Sequence, residues 1–212
     1  MKSLKVILIA LFPFFSINLD AQVFVGGSLG FSNSSDKTEN SSVTTYKSSS
    51  YSFSFLPIVG KFLSEDLAVG LSLNVTLNES KTGISSGNQT ESSTIGGSPF
   101  LRYYPIKWNK LSVFGQGNIG LNFSRSSTKT GSGTSDGPKI TKSYLKIYPG
   151  LAYAVSDKFS LETSLNFLSF GYYHLITKNG SYKDQASSFN IGAGLDGIVT
   201  VGNITIGAIY KF

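Results

Sequence analysis

The chain has 212 residues and a formal charge of +6, with 14% charged residues, 13% aromatic residues and no cysteine. That length suits one domain, and the charged fraction lies well below the ~25% of an average soluble domain. The missing cysteine excludes disulfides, zinc–thiolate centres, iron–sulfur clusters and thiol nucleophiles, and basic residues spread along the chain argue against a nucleic-acid partner.

At the start, Lys2 and Lys5 precede the apolar run VILIALFPFFSI, and NLDA then ends on the small residue Ala21. This is the pattern of a secretory signal peptide. Twelve apolar residues interrupted by Pro13 fall short of the ~20 that cross hydrocarbon as a helix. Cleavage after Ala21 would leave a mature domain over residues 22–212 and, without Lys2, Lys5 and Asp20, lower the charge from +6 to +5.

After Ala21 the chain alternates. Val23, Val25, Leu29 and Phe31 are interleaved with Gly and Ser, and Tyr51, Phe53 and Phe55 with Ser. Leu71, Leu73, Val75 and Leu77 flank Ser72, Asn74 and Thr76, and the rows Leu111–Leu121, Leu145–Val155 and Phe159–Phe167 follow. A period of two marks strands with two unlike faces. Short turns at 63–67, 105–110 and 156–158 alternate with long polar stretches near 33–50, 79–93, 125–142 and 173–186. The segments GKFLSEDLAVGLSL and AYAVSDKFSLETSL resemble each other, which predicts a repeated unit of strand, long loop, strand and tight turn. Four units make eight strands.

The last stretch, residues 187–212, is too long for one membrane-crossing strand. Its apolar residues are odd-numbered at Phe189, Ile191 and Leu195 but even-numbered at Ile204, Ile206, Ala208, Tyr210 and Phe212. It is read as one strand with a bulge near 196–203 or as two strands joined by a turn there, the latter giving ten in all if residues 159–176 also fold back.

The non-apolar face of these strands is Gly, Ser, Asn and Thr with almost no charge, which suits a narrow lumen better than a water-exposed sheet. The apolar face therefore meets lipid. Aromatics near both strand ends, among them Phe62, Tyr103, Trp108, Tyr153 and Phe159 at the short turns and Phe31, Tyr51, Phe123, Tyr144 and Tyr172 at the long loops, fit two interfacial belts. The expected fold is all-β, a closed antiparallel up-and-down transmembrane β-barrel of eight strands, ten being the alternative, with short periplasmic turns and long extracellular loops.

The signal peptide, the two turn segments, SPFLRYYPI at 98–106 and the terminal ITIGAIYKF together resemble the small outer-membrane β-barrels of Gram-negative bacteria, the OmpX/OmpA-like eight-stranded barrels and their Bacteroidota-type members. The resemblance implies an outer-membrane location, lipid and lipopolysaccharide as surroundings, and barrel-assembly machinery as a partner during biogenesis. It also implies that Ile204, Ile206, Ala208, Tyr210 and Phe212 form the signal which that machinery reads. The oligomeric state is left open.

Arg102 and Glu162 share the lumen parity at similar depth, and an ion pair between them, helped by Gln116 and Tyr148, would plug the interior. Lys146 has the same parity nearer the long loops. Arg125, Lys129, Lys139 and Lys142 surround one Asp136 and suit either contact with lipopolysaccharide phosphates or a solvated loop. The single histidine, His174, would need a serine such as Ser169 and Glu162 as partners for hydrolysis, and Glu162 and His174, twelve positions apart on one run, are too far from each other. No cofactor or metal is expected, and TGSGTSDG lacks the spacing of a nucleotide loop. The function expected is non-enzymatic, structural or surface-interacting. A small-solute channel, a lipid A-modifying enzyme and a soluble lipocalin-like binder are the alternatives.

Overall fold

Among the described residues the alternating rows fold as ten strand segments: β1 (Val23–Asn40), β2 (Val43–Phe62), β3 (Leu67–Thr82), β4 (Asn88–Trp108), β5 (Leu111–Thr130), β6 (Gly133–Ala154), β7 (Phe159–Leu165), β8 (Phe170–Asn179), β9 (Tyr182–Ile191) and β10 (Ile204–Lys211). The structure, a computed structural model, describes residues 22–40, 43–83, 88–165, 168–191 and 204–212. The expected signal peptide lies outside the described residues.

Eight of these segments close a ring. Neighbours from β1 to β7 pair antiparallel in sequence order, β7 pairs with β10, and β10 returns to β1 through Phe24↔Lys211 to Ser28↔Gly207. This is the up-and-down barrel of eight strands. The remaining two segments prolong places already in the ring. β7 covers β6 from Gly150 to Ala154, β8 takes over from Lys139 to Ile147, and β9 pairs with β8. The course of the bulge or turn expected near 196–203 lies outside the described residues.

Within the described residues, the long polar stretches continue the strands as paired hairpin arms. β4 and β6 run for 21 and 22 residues, about twice the ~9–11 that cross a bilayer. Ser and Thr extend the ladders because their hydroxyls pair across strands: Thr94 with Ser124 at 2.7 Å, Thr90 with Thr128 at 3.1 Å and Ser54 with Thr76 at 3.2 Å. Two-residue connections close the β5–β6 and β8–β9 hairpins, the latter through Gly180 at φ 58.

Outward side chains are apolar over the central stretch. Leu73, Leu77, Ile95, Leu101, Ile119 and Leu121 are all exposed, and on β3 this face gives way to Glu79 and Lys81 beyond Leu77. A continuous apolar belt of this kind is stable only against hydrocarbon. The outward parity is odd through β7, save at Ile106 and Trp108 beyond the register shift in β4, even on β8 (Phe170, Tyr172), odd on β9 (Phe189, Ile191) and even on β10 (Ile206, Tyr210, Phe212). It changes across 166–169 as well as in the stretch the sequence pattern exposes.

Inside, near the short turns, Phe24, Ala68, Phe100, Tyr104, Phe114, Ala152 and Ile209 form a buried cluster. Phe62 belongs with it and not to the interfacial belt expected from sequence: its ring centroid lies 5.3 Å from Phe24 and 5.9 Å from Tyr104. The reason is parity, since even-numbered residues of β2 face the lumen. Glycines make the room. A Cβ on Gly60 would stand 2.5 Å from Phe24 Cζ, and one on Gly70 2.5 Å from Phe100 Cζ. Gly70→Val should therefore lower stability by about 1–3 kcal/mol in urea unfolding from lipid vesicles. Gly30→Ala, whose Cβ meets Ser54 at an ordinary 3.6 Å, should leave the midpoint unchanged.

Candidate functional site

Among the described residues, the lumen holds the one buried charge pair. Arg102 on β4 and Glu162 on β7 both carry the inward parity, and both are nearly excluded from solvent. Arg102 Nη1 donates to Glu162 Oε1 at 2.7 Å and to Oε2 at 2.9 Å. Further donors are also used: Nε reaches Gln116 Oε1 at 2.7 Å and Nη1 reaches the Tyr104 hydroxyl at 3.1 Å. Gln116 Nε2 passes the network on to Tyr148 OH at 2.7 Å and Asn118 Oδ1 at 2.9 Å, and Asn118 Nδ2 donates to Ser98 Oγ at 3.0 Å. The guanidinium carbon lies 4.3 Å from the Phe114 ring centroid and 5.5 Å from that of Phe100. The polar network thus rests directly on the aromatic cluster, and together they occupy the lumen near its short-turn end.

Above this floor a cavity of about 420 Å³ opens toward the long hairpins, walled by Ser28, Ser54, Asn74, Lys142 and Lys146. Lys142 sits 4.1 Å above the Tyr173 ring, which also packs on Tyr144, and Lys146 lies 5.2 Å from the Tyr148 ring.

The four cations proposed from sequence as one group separate. Lys142 faces the lumen. Lys129 bonds Glu91, whose carboxyl is held below the ordinary carboxylate range chiefly by that hydrogen bond and by the charge behind it. Arg125 and Lys139 remain exposed on the outer wall, paired in register. In the same region Lys81 bonds Glu79 at 2.8 Å, which raises the ammonium's pKa.

His174 faces outward, and its Nδ1 lies 3.0 Å from Ser187 Oγ. Among the described residues no carboxylate joins this pair, and neither Ser169 nor Glu162 bonds the ring. The described residues contain no group of three acidic or histidine side chains fit to hold a metal ion. Along β10, Ile206, Tyr210 and Phe212 are exposed, the last two edge to face at 5.2 Å. Ala208 shares their parity, and nothing is described of the Ile204 side chain.

The inward aromatics were legible only as parity. Phe24, Phe100, Tyr104 and Phe114 are even-numbered amid odd-numbered apolar rows, a signal that the outward rows overshadow.

No protein-family model matches the chain, and no curated protein matches it. Among solved structures, a major outer membrane protein from Thermus thermophilus superposes with a TM-score of 0.50 at 15% identity, covering 91% of this chain and 100% of that one. The outer membrane protein OprG from Pseudomonas aeruginosa gives 0.52 at 10% identity, with 91% and 96% covered. These likenesses are of fold: the chain is a closed transmembrane β-barrel.

Removing one partner of a buried ion pair strands the other charge, at a cost of roughly 3–5 kcal/mol. Glu162→Ala should lower the unfolding free energy in lipid vesicles by that order. The double change Arg102→Met with Glu162→Leu should cost less than Glu162→Ala alone, because it leaves no stranded charge.

Proposed function

We propose that this protein is a non-enzymatic outer-membrane barrel whose role is structural or surface-interacting, with no solute path through it. The sealed floor carries this reading. Arg102, Glu162 and Gln116, stacked on Phe24, Phe100, Phe114 and Ile209, fill the cross-section of a ring that is just wide enough for its own side chains, so the cavity above them is blind.

The protein is exported by the leader at 1–21 and built into the membrane by assembly machinery reading Ile206, Ala208, Tyr210 and Phe212 with Ile204. The outward rings of Tyr210 and Phe212, and the pairing of β10 with β1, support that role. The likeness of its turn segments to Bacteroidota-type OmpX/OmpA-like barrels is in keeping with it. Work done by such a molecule falls to its outer wall and its extended hairpins. Hydrolysis is disfavoured because His174 and Ser187 lack an acid among the described residues.

Reconstituted in planar bilayers, the protein should leave conductance at the level of the bare membrane. Steady ohmic steps would instead make it a small-solute channel.

A further inference from the structure

Four exposed cations form a single row on the outer wall. Arg125 on β5 stands directly across from Lys139 on β6, Lys139 from Lys178 on β8, and Lys178 from Lys183 on β9. Directly paired residues share a face ~4.5–5.5 Å apart, so the row spreads four positive charges over ~15 Å. Its face is the outer one, because Tyr172 shares the parity of Lys178 and is exposed, while Tyr173 turns inward onto Tyr144.

Like charges directly opposite one another destabilise a sheet. Three other exposed cations are offset within the protein: Lys81 by Glu79, Lys107 by Asp66 and Lys129 by Glu91. Among the described residues, none of the four has a carboxylate within ion-pair distance, although Asp136 and Asp184 are close in sequence. The row is built for an anion that the chain does not supply.

Its position says where that anion comes from. The same register continues from Arg125 through Ser93 and Leu77 to Phe53 and Phe31. Strands in such barrels tilt by ~35–45°, so a paired row changes depth as it runs round the wall, and here it passes from apolar to basic. A groove of about 570 Å³ follows it, lined by Phe31, Tyr51, Phe53 and Leu77 and ending at Arg125 and Asp136; Glu79 and Glu91 at its margin are held by Lys81 and Lys129. Lys178 and Lys183 each lie six residues from the exposed aromatics Tyr172 and Phe189, ~20 Å along the strands. An acyl chain in the groove would have its headgroup phosphates at the row.

We propose that Arg125, Lys139, Lys178 and Lys183 bind the phosphate groups of lipopolysaccharide, with the groove beside Arg125 taking one of its acyl chains. This deepens the surface role above and rests on that reading. The quadruple variant Arg125→Gln, Lys139→Gln, Lys178→Gln, Lys183→Gln tests it in zwitterionic micelles, through the temperature at which the folded barrel loses its compact gel mobility. Without lipopolysaccharide the variant should outlast the parent, since the row's repulsion is gone. A hundredfold excess of lipopolysaccharide over its Kd should raise the parent by roughly 5 °C and leave the variant unmoved, reversing the order. Dephosphorylated lipopolysaccharide should shift neither.

Equal shifts in parent and variant, or an equal shift with the dephosphorylated form, overturn the proposal. Should the glutamine variant fail to fold, the dephosphorylation comparison on the parent decides, together with Lys139→Arg, Lys178→Arg, Lys183→Arg, which must keep the shift. Extraction of the protein from cells without detergent would refute the membrane reading itself, whereas an unchanged shift in the variant refutes only the row.

Discussion

Within hydrocarbon no water exists to satisfy a free strand edge, so every backbone donor and acceptor there needs a partner from the chain. The five-residue pairing of β1 with β10 meets that requirement and turns a sheet into a ring. The rest of the composition follows from it. Once the ring is closed, one half of each period-two alternation must suit lipid and the other must fill a cylinder whose radius eight strands have already fixed. The inward half cannot be uniformly large, so Gly60 and Gly70 stand where the rings of Phe24 and Phe100 reach across. Nor can it be uniformly small, or the lumen would be a void lined by unpaired polar groups.

The floor of the lumen solves this in two layers that depend on each other. A guanidinium without solvent needs its donors occupied, and Glu162, Gln116 and Tyr104 accept from it; the Phe114 and Phe100 rings cover the faces of the plane that hydrogen bonds cannot use. Such a pair contributes little net stability over an apolar filling, because desolvation offsets its attraction. What it does contribute is direction. Only one registration of β4, β5 and β7 brings Arg102, Gln116 and Glu162 to a common level, so the network discriminates against slipped strands.

The sequence disclosed what the membrane constraint repeats and hid what happens once. Outward rows such as Leu71–Leu77 recur on every wall strand, and the inward meeting of Arg102 and Glu162 could be read from parity and distance to the turns. The aromatic floor was less visible because Phe24, Phe62, Phe100, Tyr104 and Phe114 come one or two per strand and gather only when the ring closes. Phe62 was misplaced for that reason, being adjacent to a turn and aromatic like true belt residues. The basic residues of 125–142 looked like one loop; their real sorting depends on whether each has the parity of the lumen, as Lys142 has, or a partner across the hairpin, as Lys129 has in Glu91. The extended hairpins were hidden by composition, since a strand bathed in water on both faces shows no apolar period. The parity change across 166–169 was masked by the mixed sequence around it.

The closing pair joins Phe24–Ser28 to Gly207–Lys211, the most distant segments of the described chain. Contacts of such sequence separation form late, because the entropy of bringing the ends together must be met before any bond rewards it. Every earlier hairpin can zip from its own turn, yet the assembled curl keeps two bare edges until that final contact. During this interval the molecule is a sticky half-cylinder, prone to pairing with a neighbour's edge as readily as with its own. The feature that makes the finished barrel so self-contained is therefore also the one that leaves the unfinished barrel most exposed.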